Sequence, residues 1–336
     1  MICLVRAASP ELAAERLRAA LAGYGLATDG LAGRVEAIPA DLTRDRFGLD
    51  GAAWDELARR CDLIIHNAAV VSVVRDYASL RAANVLATGA ILGLAALGGM
   101  PVHYVSTLAV APPQTVAARV PEDFVPAHPG LRDGYSQSKW AAERLVAQAG
   151  ARGLPVAVYR LGRVVGPDHS DWVNRDDLFW RIVQAGVPRG VLPALPVEEV
   201  WNPVDWAARL IVGLAVRPAD GAVYNLAPGA PLRFAELLGW VGEYGYPVEL
   251  TGVAEWRRRL EPVSDPAVRA TLTFFERQDA APATVGPFES GRLSAALDSL
   301  GLPAPTIDRA RFFRYLDTCV SAGLLPAPAL AQAYAV

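Results

Sequence analysis

Short, continuously apolar runs alternate with amphipathic stretches along the first two thirds of the chain. Apolar runs without an alternating polar face are typical of strands that are buried on both sides of a parallel sheet. These runs cover residues 2–5, 34–39, 62–66, 102–105, 156–161 and 222–226. Predicted helices lie between them, at 10–21, 54–60, 80–97, 135–149 and 202–215. The pattern predicts an α/β fold with a Rossmann-like, doubly wound parallel sheet.

The pattern changes after Pro167. Residues 168–200 are rich in Trp, Pro and Asp and contain one helical stretch, at about 177–184. From Pro231 onward the chain is helical and punctuated by proline, and we expect no further parallel strand there.

We therefore predict two domains. A dinucleotide-binding domain would cover residues 1–167 and be completed by 201–228. Residues 168–200 and 229–336 would form a smaller, mostly helical substrate-binding cap on the carboxyl edge of the sheet. Four aromatic residues either line an apolar substrate channel or form the cap's own core: Trp172, Phe179, Trp180 and Trp201.

Charge and length narrow the classes of partner. The chain has 336 residues, 52% of them hydrophobic, and 32 basic against 35 acidic residues give a net charge of −3. No basic run indicates a nucleic-acid partner and no polybasic helix indicates a membrane surface. The longest apolar run, 85–100, contains four glycines and is shorter than the ~20 residues that span a bilayer. We expect a buried helix there, and a soluble protein of the cytoplasm.

Cysteine and histidine give no sign of a metal site. Cys3, Cys61 and Cys319 are far apart and form no CxxC pair. The four histidines form no HxxxH or HExxH motif. We predict unpaired thiols in a reducing compartment and no bound metal.

A tyrosine and a lysine four residues apart are the main candidates for catalysis. Tyr135 and Lys139 fall in one predicted helix, where residues i and i+4 share a face. A phenol has an ordinary pKa of about 10, and the ammonium is expected to lower the pKa of Tyr135. Tyr135 could then exchange a proton with a carbonyl oxygen that Thr107 or Ser106, after the strand 102–105, also holds. The alternative is an exposed helix in which this common spacing arises by chance.

Eight short motifs occur in order along the chain. They are LVRA (4–7), ADL (40–42), HNAA (66–69), ANVLATG (83–89), YVSTLAV (104–110), YSQSK (135–139), RLGRVVGP (160–167) and NPVDWAA (202–208). Together they resemble the extended short-chain dehydrogenase/reductase superfamily, and within it the thioester reductase domains of nonribosomal peptide and polyketide synthetases and of carboxylic acid reductases. The segment YLDTCVSAGLLPAP (315–328) resembles the same subfamily, so the resemblance covers almost the whole chain.

The resemblance implies the cofactor and the residues of the site. Thr107, Tyr135 and Lys139 would be the catalytic residues, and Tyr135 and Lys139 would also contact NADPH. The other implied cofactor-binding residues are Arg6, Arg16, Asp41, Leu42, Asn67, Ala68, Ala69, Gly162, Arg163 and Val164.

Each group of these residues has a place along the cofactor. Arg6, assisted by Arg16, would face the 2′-phosphate. The pair 41–42 would border the adenine and the stretch 67–69 would run along the cofactor. The stretch 162–165 would close over the nicotinamide.

Simpler interpretations exist for several of these residues. Arg6 could be a solvated strand end, Arg16 a surface helix residue, and Asp41 a turn residue or helix cap. Asn84 is interpreted as a buried hydrogen-bonding residue that supports the backbone of the site, with no catalytic role. Ser106 is interpreted as structural, with Thr107 as the hydroxyl that binds substrate.

The family's first strand and its glycine-rich turn, GxxGxxG, have no counterpart in this sequence. That turn holds the cofactor pyrophosphate. In the strand order 3-2-1-4-5 the absent strand would lie between 2–5 and 62–66, in the middle of the sheet. We expect the corresponding residues to be encoded upstream and a chain this short to bind the cofactor poorly.

The implied activity is the reduction of an acyl or peptidyl thioester on the phosphopantetheine arm of a carrier protein, within or beside a larger multidomain chain. The product would be an aldehyde, or an alcohol after a second reduction. One alternative is a free-standing acyl-CoA or aldehyde reductase or a nucleotide-sugar enzyme of the same fold. The other is an inactive docking module. Related domains that cyclise their product without reduction lack the tyrosine, and Tyr135 argues against that chemistry here.

Overall fold

A four-stranded parallel sheet lies at the centre of the protein. The structure is a computed structural model and describes residues 1–31, 33–72, 74–112, 119–167, 172–260 and 286–328. The strands, numbered in chain order, are β1 (Ile2–Val5), β2 (Glu36–Pro39), β3 (Ile64–His66), β4 (Val102–Thr107), β5 (Val156–Leu161), β6 (Arg163–Val165), β7 (Val191–Pro193), β8 (Glu198–Glu199), β9 (Trp201–Pro203), β10 (Val223–Leu226), β11 (Leu232–Arg233) and β12 (Glu249–Thr251). The central sheet has the order β10-β5-β4-β3.

Ten helices follow or precede these strands in the described part of the chain. They are α1 (Pro10–Gly23), α2 (Gly51–Arg60), α3 (Tyr77–Gly98), α4 (Gly134–Ala151), α5 (Leu178–Gly186), α6 (Val204–Ala215), α7 (Phe234–Glu243), α8 (Val253–Leu260), α9 (Gly291–Leu300) and α10 (Arg309–Ser321). Each predicted strand and helix of the first two thirds is present, with ends that differ by a few residues. The predicted α/β fold with a parallel sheet is confirmed.

Helices cover both faces of the central sheet. On one face Tyr104 and Val158 pack with Ile91 of α3 and Val146 of α4. On the other face Tyr159 is part of a cluster that includes residues of α6 and α9. Helix α3 is long and apolar enough to cross a membrane by composition alone, but more than half of its apolar stretch is buried inside the protein. It is a core helix in this structure, as the sequence predicts.

The residues of the predicted cap have a hydrophobic core of their own. Phe179, Trp180 and Trp201 are buried in it with Phe234 and Phe312. Their rings meet at centroid distances of 5.0–6.1 Å, mostly edge to face. Three of the four aromatic residues that the sequence offers for a substrate channel therefore belong to the cap's core.

The fourth aromatic residue, Trp172, lies elsewhere. It is half-buried, and its ring meets that of Tyr24 edge to face at 5.1 Å. The predicted cap also includes residues 168–171, 261–285 and 329–336, which lie outside the described residues.

The expectation that no parallel strand follows Pro231 is wrong. Strand β12 pairs in parallel with β7, with Leu250 opposite Leu192. The strand is only three residues long and mostly exposed, so it has no continuous apolar run in the sequence. A short strand of this kind is held by its partner rather than by its own pattern.

Strands β1 and β2 stand apart from the central sheet. They pair in parallel with each other, and no hydrogen-bonded ladder joins them to β3 among the described residues. Ile65 on β3 is 42% exposed, which is unusual for an apolar residue of a parallel strand. The sheet is therefore interrupted between β1 and β3, the position at which the resemblance places one more strand.

Candidate active site

The three predicted catalytic residues meet at the carboxyl end of β4. Thr107 is the last residue of that strand. Helix α4 begins at Gly134, where the carboxylate of Asp133 accepts a hydrogen bond from the N–H of Ser136 at 2.8 Å. This start places Tyr135 in the first turn, close enough to Thr107 for the Thr107 side chain to act on the pKa of the phenol. A hydroxyl pair at the end of a central strand can hold one carbonyl oxygen from two sides.

Gly134 allows the helix to begin so close to the neighbouring loop. A Cβ at this position would lie 2.4 Å from the backbone carbon of Asp76 and 2.5 Å from the carbonyl oxygen of Arg75. No real side chain tolerates such distances, so any other residue would push the start of α4 away. The position of Tyr135 depends on this glycine.

Lys139 lies one turn further along α4 and is buried. Its Nζ donates a hydrogen bond of 2.7 Å to the carbonyl oxygen of Val105 and lies 4.2 Å from the centre of the Tyr104 ring. Burial lowers the pKa of Lys139 to about 7, while the negative charge of Glu143 opposes this shift. The amine can therefore gain or lose a proton near neutral pH.

The expectation that Lys139 lowers the pKa of Tyr135 is wrong for this arrangement. Burial raises the pKa of Tyr135, the nearby Thr107 side chain opposes the rise, and the charge of Asp133 adds to it. The ammonium of Lys139 is directed at Val105 instead of at the phenol. Tyr135 is therefore a protonated hydrogen-bond donor at neutral pH, which suits a proton donor.

A buried amide supports the loop that follows β3. The side chain of Asn84 accepts from the N–H of Val70 at 2.7 Å and donates to its carbonyl oxygen at 3.0 Å and to the Ser138 hydroxyl at 2.9 Å. Asn84 lies in a π-helical turn of α3, Ala82–Leu86. The predicted supporting role of Asn84 agrees with these contacts.

The predicted adenine-side residues lie together at the carboxyl ends of β1 and β2. Arg16 donates to the carbonyl oxygen of Arg6 at 2.6 Å, and both side chains are exposed. Hydrogen bonds from Thr43 lower the pKa of Asp41, and the charges of Arg6 and Arg44 lower it further. Exposed guanidinium groups beside a strand end have the chemistry that binds a phosphate.

The other end of the predicted cofactor site includes residues 67–69 and 162–164. Asn67 and Ala68 are exposed just after β3, and Ala69 is partly so. Gly162 donates its N–H to the Asn202 side chain at 2.7 Å, and a Cβ there would lie 2.2 Å from the carbonyl oxygen of Val200. These exposed backbone segments and the cationic adenine end fit a dinucleotide.

The side chain of Arg163 lies in an ion-pair cluster inside the protein. Its guanidinium makes two hydrogen bonds to the Glu199 carboxylate and two to that of Asp177, at 2.6–2.7 Å. It is therefore committed to an internal ion-pair cluster, and only its backbone remains for the predicted cofactor role. Val164, next along β6, is 39% exposed.

A buried ion pair behind the catalytic residues was not foreseen from the sequence. Glu143 accepts from Arg160 at 3.0 and 2.7 Å and from the Ser106 hydroxyl at 2.6 Å. Glu143 lies four residues after Lys139, and this spacing was a usable signal because it puts both on the face of α4 that carries Tyr135. The structural role predicted for Ser106 agrees with this contact.

The lysine content of the sequence is a second signal, and it marks Lys139 as a position with a special role. Lys139 is the only lysine among the 32 basic residues, so arginine serves every other position that needs a cation. Arginine stays charged at all ordinary pH values, whereas a buried lysine can titrate. The exception points to a position where titration is useful.

No group of three or more His, Cys, Asp and Glu side chains suited to a metal occurs among the described residues. The three cysteines are free thiols in this structure. The absence of a bound metal remains a prediction.

Comparison with known proteins identifies the family. A family model of NAD-binding domains, described as male sterility protein, matches residues 1–211. The isonitrile lipopeptide synthase of Streptomyces coeruleorubidus is 46% identical over 346 residues, covering 99% of this chain and 24% of that protein. This chain thus spans about a quarter of the length of that relative.

Solved structures that resemble this chain indicate the same family. The terminal R domain from the myxalamid PKS-NRPS biosynthetic pathway is 34% identical with a TM-score of 0.90, over 97% of this chain and 85% of that one. The reductase domain of a nonribosomal peptide synthetase from Mycobacterium tuberculosis is 26% identical with a TM-score of 0.75, over 96% and 85%. The resemblance read from the motifs is confirmed. The chain belongs to the male sterility family of NAD-binding domains and, within it, to the reductase domains of short-chain dehydrogenase/reductase type that nonribosomal peptide and polyketide synthetases contain.

Proposed function

We propose that this chain catalyses the NADPH-dependent reductive release of an acyl or peptidyl thioester from the phosphopantetheine arm of a carrier protein. The observation that carries the proposal is that Thr107 and Tyr135 meet at the carboxyl end of β4, where the Thr107 side chain acts on the phenol, with Lys139 one helical turn away. We propose these three as the catalytic residues, working in the cytoplasm on an arm that reaches the site under the cap formed by 168–200 and 229–336.

The side chains act on the oxygen of the thioester carbonyl. Thr107 and Tyr135 donate hydrogen bonds to this oxygen and stabilise the negative charge that develops on it. NADPH supplies the hydride that the carbonyl carbon receives. Tyr135 then transfers its proton to the oxygen, which gives a thiohemiacetal. When that intermediate collapses, the carbon–sulfur bond breaks and an aldehyde and the free thiol of the arm are formed.

Two exposed arginines favour NADPH over NADH. Arg6 is exposed at the end of β1, where an acidic ribose-binding residue would favour NADH, and Arg16 is hydrogen-bonded to its backbone. We propose that Arg6 and Arg16 bind the 2′-phosphate and that Asp41 and Leu42 border the adenine. The segments 67–69 and 162–164 would contact the rest of the cofactor.

The test is the substitution Tyr135→Phe. We expect it to lower thioester reduction at least 10²-fold, because the proton donor is lost, while the ring still fills its place. NADPH oxidation with an acyl carrier-protein thioester measures the rate, and titration with NADPH and NADH measures binding, which should change little and should favour NADPH. Turnover retained by the Phe variant would remove Tyr135 from the mechanism.

The matched control is Tyr224→Phe, which removes a phenol from β10 on the other face of the sheet. Tyr224 stacks on Tyr159 and is remote from Thr107 in the pairing of the strands. Its rate should equal that of the parent. Both comparisons are made between variants of the same chain, so they do not depend on how tightly the chain binds NADPH.

One observation favours a second candidate function, that of a docking domain that catalyses no reaction. Strands β1 and β2, which carry the adenine-side residues, are not joined to the central sheet by hydrogen bonds in the described residues. If the parent chain binds an acyl carrier protein but oxidises no NADPH, the docking function is the correct one. A parent that reduces acyl-CoA as fast as the carrier-bound thioester is instead a free-standing reductase.

A further inference from the structure

The ammonium of Lys139 is buried without a carboxylate directly against it. Lys139 is only 3% exposed, and within the described part of the chain it makes no ion pair. The nearest acidic group, Glu143, has its two oxygens bound by Arg160 and Ser106. A buried cation needs some other compensation for the water it has lost.

The ring of Tyr104 provides such compensation. Its centre lies 4.2 Å from Nζ of Lys139, which is within the range in which the negative face of an aromatic ring attracts a cation. Tyr104 is 1% exposed and lies on β4 between His66 and Val158 on the neighbouring strands. The ring is therefore held in place by the sheet, and it does not follow the lysine when the lysine moves.

The groups that face Lys139 come from three elements. Strand β4 contributes Tyr104 and the carbonyl oxygen of Val105, and α4 contributes Glu143. On β3, His66 packs against Tyr104 at a ring distance of 5.5 Å, and burial together with the charge of Lys139 lowers its pKa to about 3. The imidazole of His66 is thus uncharged across the range in which Lys139 titrates. Tyr104 stays neutral too, because burial raises its pKa well above the ordinary value.

We infer that Tyr104 is a positioning residue that acts through Lys139: its ring face favours the ammonium form over the neutral amine and holds it at the end of β4. The inference rests on the proposed function, in which Lys139 is one of the three catalytic residues. The effect belongs to the ring face and not to the hydroxyl, which is buried and makes no hydrogen bond among the described residues. Phenylalanine at position 104 should therefore serve as well as tyrosine, and an aliphatic residue should not.

The chain offers an unusually direct test, because it has a single lysine. Protein made with [ε-¹³C]lysine gives one side-chain signal, and its shift with pH reports the pKa of Lys139 with no assignment step. We expect Tyr104→Phe to leave this pKa within about 0.3 units of the parent value, and Tyr104→Leu to lower it by roughly one unit. Tyr104→Met, which fills the space better, should act like Leu and replaces it if the Leu variant does not fold.

The matched control is Tyr159→Leu. Tyr159 is equally buried, lies on the adjacent strand β5 and faces the opposite side of the sheet, where it bonds His103 at 2.9 Å. Its replacement should destabilise the protein and leave the pKa of Lys139 unchanged. An unchanged pKa in Tyr104→Leu or Tyr104→Met overturns the inference, and so does a Phe variant that shifts as far as Leu, since the hydroxyl would then be responsible.

Kinetics gives a second, separate readout. The alkaline limb of kcat against pH, where activity is lost as Lys139 deprotonates, should move to lower pH by the same amount as the pKa in Tyr104→Leu, with KM changed less. A pKa shift in a chain whose parent reduces no thioester would contradict the proposed function and leave the inference about Tyr104 intact. A shift of the pKa without movement of the kinetic limb would overturn the link between Tyr104 and proton transfer.

Discussion

Lys139 and Arg160 are both buried cations near Glu143, but their surroundings differ. Arg160 is 0% exposed, and its guanidinium makes five hydrogen bonds, to Glu143, Asn225 and the backbone of 121 and 123. Lys139 makes one hydrogen bond and one contact with a ring. The fully paired Arg160 holds the structure together, whereas Lys139 has fewer partners, can titrate near neutral pH and is therefore suited to chemistry.

Breaking the ion pair between Arg160 and Glu143 should have the largest effect on stability. Arg160→Met leaves Glu143 buried without its partner, so we expect a loss of about 3–5 kcal/mol in the free energy of unfolding, measured with urea. The double variant Arg160→Met/Glu143→Met removes both charges and should lose clearly less. A double variant as unstable as the single one would show that packing, and not the ion pair, sets the stability here.

Replacing Lys139 should have the opposite effect and increase the stability of the protein. In the folded protein the pKa of Lys139 is about 7, below its ordinary 10.5, so the unfolded chain binds more protons between these pH values. The parent's stability should rise with pH across this window, and in Lys139→Met this contribution should be absent. At pH 7 we expect Lys139→Met to be more stable than the parent by about 3 kcal/mol, although it is inactive. Parallel stability–pH curves would contradict the assignment of a depressed pKa.

A smaller effect should separate the two hydroxyls at the end of β4. Ser106 donates a hydrogen bond to Glu143 of the buried ion pair, so Ser106→Ala should lose about 1–2 kcal/mol of unfolding free energy and little activity. Thr107 accepts from the N–H of Ala109 at 3.2 Å, so Thr107→Ala should lose up to about 1 kcal/mol of unfolding free energy, but its main effect should be a clear fall in kcat. Equal losses of kcat in the two variants would mean that both hydroxyls bind the reacting oxygen.

The sequence predicted the parts of this picture that depend on local pattern. The sheet strands follow from continuous apolar runs, and the start of α4 next to Thr107 follows from the motifs on either side. Strand β12 was missed because three exposed residues have no pattern, and their pairing depends on a strand some sixty residues away.

Contacts between elements distant in sequence explain the remaining differences. Nothing in the local pattern indicates that the Arg163 side chain faces Glu199 and Asp177, because three separate elements bring these residues together. The direction of the pKa shift of Tyr135 was wrong for a related reason. Burial depends on the whole fold, and here it outweighs any influence of the lysine one turn away.

The interruption between β1 and β3 has a mechanical consequence. With no ladder across it in the described residues, the unit of β1, β2 and α1 is held to the rest by packing of residues such as Ile2, Leu4 and Ile38. This junction therefore lacks the backbone hydrogen bonds that join the strands of the central sheet. A ligand that contacts both Arg6 and Tyr135 would bridge this junction, and its binding would add to the stability of the folded chain.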